Sequence, residues 1–315
     1  MHGITKSNCA AGLVALCLAS GLQLASPLRA ETNQAAALLA LRVTGTVERL
    51  APMQSKHIGS RNVDVWLPPS YSSRKSRRYP VVYVHDGQNV FDPASSFIGV
   101  DWGMDETMTR LIAEKKIPEG IIVAIWNTPK RLAEYMPQKP LETLAESELE
   151  AMLKPVRREP LADAYLRYLV TELKPAIDAR YRTRPDRAHT SILGSSMGGL
   201  ISLYALCEYP DVFGGAACLS TAWQVANGVA VHELKKSLPD PRTHKIYCDF
   251  GTGSMDAAIE PFQQRVDAQL KEAGYTAGKN WLTKKFPGED HSERAWRKRV
   301  DIPLQFLLPS DRSGN

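Results

Sequence analysis

Two apolar rhythms alternate along this chain. Val81-Val82-Tyr83-Val84 and Ile121-Ile122-Val123-Ala124-Ile125-Trp126 are unbroken apolar runs of strand length, the pattern of strands buried on both faces. Ser191-Ile192-Leu193, Gly214 to Leu219, Lys245 to Phe250 and Trp281 to Phe286 read as further strands. Thr44 to Leu50 and Arg61 to Leu67 alternate polar with apolar residues, as half-exposed strands do, and Pro68-Pro69 ends the second. Between these lie stretches whose apolar residues return every three or four positions: Met104 to Ala113, Tyr165 to Tyr181, Leu200 to Tyr209 and Ile259 to Ala273. Eight strands alternating with helices predict an α/β architecture, a mostly parallel sheet covered by helices on both faces. Residues 137–160 interrupt the rhythm after the fourth strand, with prolines at both ends of a stretch of helical composition. This insertion reads equally as a small cap over a site and as a surface excursion.

The first thirty residues belong to a different pattern. Lys6 precedes an Ala/Leu-rich core from Ala10 to Leu24, and Ser26-Pro27-Leu28-Arg29-Ala30 offers a cleavage site after Ala30. This is the layout of an export signal, and it predicts a periplasmic or secreted protein. Residues 31–43 form a lead-in, and residues 44–315 one catalytic domain. No later apolar run is long enough to span a bilayer, so no stable membrane insertion is expected once the signal is removed. That removal takes away Lys6 and Arg29 but no acid, lowering the formal charge from +5 to +3, too mild a balance to suggest nucleic-acid binding. The basic run Arg294 to Arg299 follows a candidate catalytic histidine and could favour anionic substrates. Cys207, Cys218 and Cys248 all sit in apolar surroundings and read as buried free thiols, with one bridge left open.

Gly194-Ser195-Ser196-Met197-Gly198 joins a strand to a helix. In that setting Gly-x-Ser-x-Gly is a nucleophile elbow, whose tight turn lifts the serine hydroxyl above the sheet edge. A serine hydroxyl needs a base within hydrogen-bond reach, and the base needs an acid to orient it. The order for this elbow is serine, acid, histidine. Of the histidines after Ser196, His232 opens a charged helical stretch and His244 precedes a strand. His291 lies just beyond the last strand, at the edge where the elbow points, and is the predicted general base. Asp256 is the predicted acid; Asp249, at the strand end, is the runner-up, and Glu260 lies where the next helix has begun. The tetrahedral intermediate needs two preplaced donors. The N–H of Met197 is one, and Gly87 or Gln88, in the loop His85-Asp86-Gly87-Gln88-Asn89, supplies the other. His85, Asp86 and Asn89 read as braces for that loop, and their spacing lacks a metal-ligand pattern. Trp102, Tyr135 and Trp223 fall in loops at the same edge and are expected to contact substrate, whereas Trp126 reads as core and Trp296 as packing for the final helix.

These motifs resemble those of the esterase family of α/β-hydrolases that includes siderophore esterases, feruloyl and acetyl-xylan esterases, S-formylglutathione hydrolases and mycolyltransferases. The likeness runs from about Thr44 to Leu308. It is carried by Tyr83 to Asp92, Arg131 with Glu134-Tyr135-Met136-Pro137, Gly194 to Leu200, Gly251-Thr252 with Asp256, and His291-Ser292-Glu293 with Trp296. The resemblance implies the α/β-hydrolase fold, no cofactor, and a nucleophile, histidine and acid at Ser196, His291 and Asp256. The expected activity is hydrolysis of small-molecule carboxylic esters through an acyl-enzyme. Acyl transfer on the same site and a non-catalytic binder on the same fold are the alternatives, and oligomeric state is left open.

Overall fold

The structure is a computed structural model that describes residues 43–150 and 159–309. The predicted export signal and most of the lead-in lie outside the described residues.

Eight strands form one sheet: β1 (Thr46–Leu50), β2 (Val63–Leu67), β3 (Val81–His85), β4 (Ile121–Ile125), β5 (Thr190–Ser195), β6 (Gly215–Leu219), β7 (Lys245–Gly251) and β8 (Trp281–Phe286). Their order across the sheet is β1-β2-β4-β3-β5-β6-β7-β8. β1 and β2 pair antiparallel, as do β2 and β4, and every pair from β4 to β8 is parallel. The eight predicted strands are thus recovered in an α/β-hydrolase architecture. β3 shows why the continuous runs work. Val81 and Tyr83 enter the hydrophobic core on one face, and Val82 and Val84 enter the core on the other. Alternate side chains point to opposite faces, so a strand covered on both sides must be apolar throughout. Each such side chain contributes about 1.5–3 kcal/mol of burial.

Among the described residues the helices include α1 (Met104–Ala113), α2 (Arg131–Glu134), α3 (Gln138–Leu141), α4 (Ala162–Tyr168), α5 (Lys174–Arg180), α6 (Met197–Glu208), α7 (Val229–Glu233), α8 (Glu260–Glu272), α9 (Glu293–Arg297) and α10 (Asp301–Leu307). The helix predicted over Tyr165 to Tyr181 is broken by one π turn at Leu169–Leu173, between α4 and α5. Short α2, α3, α7 and α9 carry too few residues for a helical period to register in sequence. α6 follows the elbow and is buried from Met197 through Leu206, so it has no water-facing side over that length. The described part of the insertion begins with α3, which packs near α7. Pro137, Lys139 and Pro140 line a cavity over the outer side of α6 with Leu200, Leu203 and Tyr204.

Cys218 and Cys248 face each other in register across β6 and β7, and both are free and buried; Cys207 is free and half-buried. The carboxyl ends of the parallel strands all emerge on one edge, where open α/β sheets hold their ligands.

Candidate active site

β5 delivers the chain to Ser196 with φ 57° and ψ −121°, a conformation that L-residues rarely adopt, and α6 starts at the next residue. The Ser196 N–H donates to the Leu219 carbonyl at 2.8 Å, which ties the elbow to the end of β6. Small neighbours make the turn possible. A Cβ on Gly194 would lie 2.5 Å from the backbone carbonyl of Gly198, and one on Gly199 would lie 2.5 Å from Thr221 Oγ1. A Cβ on Gly198 itself would meet nothing closer than Asp86 Oδ2 at 3.3 Å, so Gly194 and Gly199 carry the tightest demand.

His291 stands in the loop after β8. Its Nδ1 is 2.6 Å from Asp256 Oδ1, and its ring meets the Trp296 ring edge-on with centroids 5.2 Å apart. With Nδ1 engaged, Nε2 is the nitrogen left to address the cavity of about 500 Å³ that Ser196 and His291 both line. Asp256 is completely buried, and its Oδ2 accepts from Ser220 Oγ and from the Gly251 N–H, each at 2.6 Å. Burial pushes this carboxyl up, but the hydrogen bonds from His291, Ser220 and Gly251 outweigh it and hold the group below the usual carboxylate range. Asp249, the runner-up, does not reach His291. It takes hydrogen bonds from Arg299 at 3.0 Å and Tyr247 at 2.9 Å, and burial pushes it upward. Glu260 is occupied on the surface by Lys285.

The loop after β3 is braced as expected. Asp86 has φ 57° and is clamped by Arg131 through two bonds of 2.6 and 2.7 Å, with Asn127 adding a third at 2.5 Å. Burial opposes its charge, yet the neighbouring guanidinium and these bonds keep it below its ordinary range. His85 is buried, pairs with the Tyr165 hydroxyl at 2.7 Å, and is pushed down to about 3 by desolvation. It is therefore neutral, and its buried place against Tyr135 and Tyr165 suits a brace. Asn89 caps the following loop by accepting the Phe97 N–H at 2.9 Å. A Cβ on Gly87 would lie 2.5 Å from the β4 backbone, so Gly87 permits the close approach, while Gln88 lines the cavity beside Ser196. Met197, first in α6, has no intrahelical acceptor for its N–H.

The structure corrects the expected substrate contacts. Trp102, Tyr135 and Trp223 are all fully buried, and none lines the cavity with Ser196. Trp102 packs against Trp296, Tyr135 meets the Asp86 N–H through its hydroxyl, and Trp223 donates to Gln263. The segments that carry them fold inward, and their large rings fill the core. Trp126 is half-buried under Arg49 rather than in the core. The cavity's apolar contacts are instead Phe97, Ile98, Met255 and Trp296, with Phe97 85% and Met255 62% exposed. Trp296 packs on the imidazole as well as on α9's surroundings, a role the sequence did not signal. Of the basic run, only Arg294 lines the cavity. Arg297 pairs with Asp101 and Glu106, Lys298 with Glu289, and Arg299 with Asp249, which removes most of the charge invoked for anionic substrates.

This geometry belongs to the α/β-hydrolase class of ester-cleaving enzymes. A family model described as "Putative esterase" matches residues 55–307, and the chain belongs to that family; it is an esterase acting on small-molecule esters. The uncharacterized protein YbbA of Bacillus subtilis (strain 168) is 25% identical over 261 residues, covering 81% of this chain and 95% of that protein. The endo-1,4-beta-xylanase/feruloyl esterase of Xylanibacter ruminicola is 25% identical over 262 residues, covering 79% of this chain but 29% of its own length. The crystal structure of the enterobactin esterase FES from Shigella flexneri in the presence of enterobactin shares the fold with a TM-score of 0.63 at 19% identity, over 83% of this chain and 58% of that one. Among the described residues, no helix is long and apolar enough to cross a membrane.

Proposed function

We propose that this esterase is a periplasmic or secreted serine hydrolase that works through an acyl-enzyme at Ser196. The observation that carries the reading is the 2.6 Å contact between Asp256 and His291 Nδ1, at the wall of the cavity onto which the elbow opens Ser196. Ser196 Oγ gives its proton to His291 Nε2 as it attacks the ester carbonyl carbon. The oxyanion is received by the N–H groups of Met197 and Gln88, where the dipole of α6 adds a partial positive charge. The C–O bond to the leaving alcohol breaks as the imidazolium hands that proton to the alkoxide oxygen. Water then repeats the sequence and releases the acid. Asp256 stays ionised throughout and offsets the imidazolium charge.

The acyl side is read as aromatic or otherwise apolar, because Phe97, Ile98, Met255 and Trp296 form the cavity's apolar wall. The feruloyl and siderophore esters named for its relatives fit that wall. The apolar N-terminal segment with its Ala30 cleavage site supports export. The test is a hydrolysis panel of acetyl, butyryl and feruloyl esters plus a catecholate trilactone, run beside Ser196→Ala with a fluorophosphonate probe. Turnover of the aromatic esters with an adduct at Ser196 is expected. Equal turnover by Ser196→Ala would remove the reading.

A further inference from the structure

Ser220 has no part in the scheme above, yet its hydroxyl is the most heavily used side-chain atom behind the imidazole. It follows β6, is completely buried, and adopts φ 40°. Its N–H donates to the Asp249 carbonyl at 2.8 Å, which pins the turn to β7. The same turn touches the elbow: Leu219 O accepts the Ser196 N–H, and Ser196 O accepts the Ala222 N–H at 3.2 Å.

A hydroxyl has one proton to donate and two lone pairs to accept with. Ser220 Oγ uses all three. It lies 2.6 Å from Asp256 Oδ2, 3.0 Å from Trp296 Nε1 and 2.8 Å from an Arg299 terminal nitrogen. The indole and the guanidinium can only donate, so the hydroxyl proton must go to the carboxylate. Asp256 and Trp296 are the two groups that hold His291, one through Nδ1 and one across the ring. A single oxygen atom therefore sets both.

We propose that Ser220 is a positioning residue for His291, locking the acid on one side of the imidazole and the indole on the other. The proposal rests on the triad assigned above. The charged groups around His291 include Asp256 and Asp249 from β7 and its loop, Arg299 after α9, Glu293 and Arg294 on α9, and the paired Asp86 and Arg131 from the opposite wall. Ser220 and Arg299 draw negative charge away from Asp256, and Asp249 is already neutralised by Arg299. Removing the hydroxyl frees Asp256 and the indole to shift, so the imidazole is held less well and the loss falls on kcat rather than on KM.

The experiment compares the full chain with Ser220→Ala and Trp296→Phe on a feruloyl or nitrophenyl ester. Thermal melting checks folding, and Ser196→Ala serves as the reference. Ser220→Ala is expected to lose about 10- to 100-fold in kcat, with KM within twofold. Trp296→Phe keeps the ring edge but drops the N–H, and loses about threefold in kcat. A folded Ser220→Ala with kcat within twofold, or with its loss carried by KM, overturns the proposal. Should Ser220→Ala fail to fold, an unaltered Trp296→Phe overturns it. Activity in Ser196→Ala would instead overturn the triad itself, so the two failures stay distinct.

Discussion

The two sides of His291 are built in opposite ways. Behind the imidazole, Asp256, Ser220, Asp249 and Arg299 are buried and cross-bonded, and Asp256 has a partner on each oxygen. In front of it, Phe97 and Met255 stand mostly in solvent around an open cavity. The rear is a polar cluster inside a low-dielectric edge, where every bond is electrostatically strong and a missing one is costly. The front has little that fixes a side chain until substrate arrives. Reaction chemistry thus depends on the rear and selectivity on the front, so changes on the two sides should separate in kcat and KM.

The largest expected effect comes from the atom that the two sides share. Ser196→Ala should lower kcat by about 10⁴-fold or more and abolish labelling by a fluorophosphonate, read by intact-protein mass spectrometry. Next come the two buried carboxylates of the rear. Asp256→Asn should cost about 10²- to 10⁴-fold in kcat in the folded fraction, since it removes the group that orients the imidazole. Asp249→Asn should do the reverse: it strands Arg299 and lowers stability by about 3 kcal/mol in chemical denaturation, while the folded fraction keeps most of its kcat. Matching losses in the two variants would erase the division between triad acid and structural acid.

A smaller effect tests the buried brace of the loop after β3. His85 has a folded-state pKa pushed down to about 3, so the folded protein refuses a proton that the unfolded chain accepts below its usual value near 6.5. The contribution is therefore fully present above pH ~6.5 and is lost as pH falls from there towards about 3, at up to ~1.4 kcal/mol per unit. Denaturation curves at pH 7.5 and 5.5 should show wild type losing more stability than His85→Gln over this interval. Equal slopes would mean that His85 is not the neutral brace its burial indicates. The smallest effect belongs to the front: Phe97→Ala should raise KM for a feruloyl ester about threefold with kcat unchanged, and leave acetyl esters unaffected. A fall in kcat instead would extend the rigid machinery into the mouth.

The chain's own pattern determined the eight strands, the order in which they meet the elbow, and the placing of Ser196 and His291 at one sheet edge. Those features are local: a doubly buried strand must be apolar at consecutive positions, and a strand that turns sharply into a helix must carry tiny residues such as Gly194. Tertiary structure showed that Asp256, the acid the sequence favoured, meets His291, whereas Asp249, seven positions earlier on the strand, does not. It also turned Trp102, Tyr135 and Trp223 into the core, put Phe97 and Met255 at the mouth, and bound most of the Arg294 to Arg299 run in ion pairs. Each of these outcomes rests on partners far away in sequence, such as the 35 positions between Asp256 and His291. Burial and hydrogen bonding are properties of what the rest of the fold brings near a side chain, and periodicity along the chain carries no record of that.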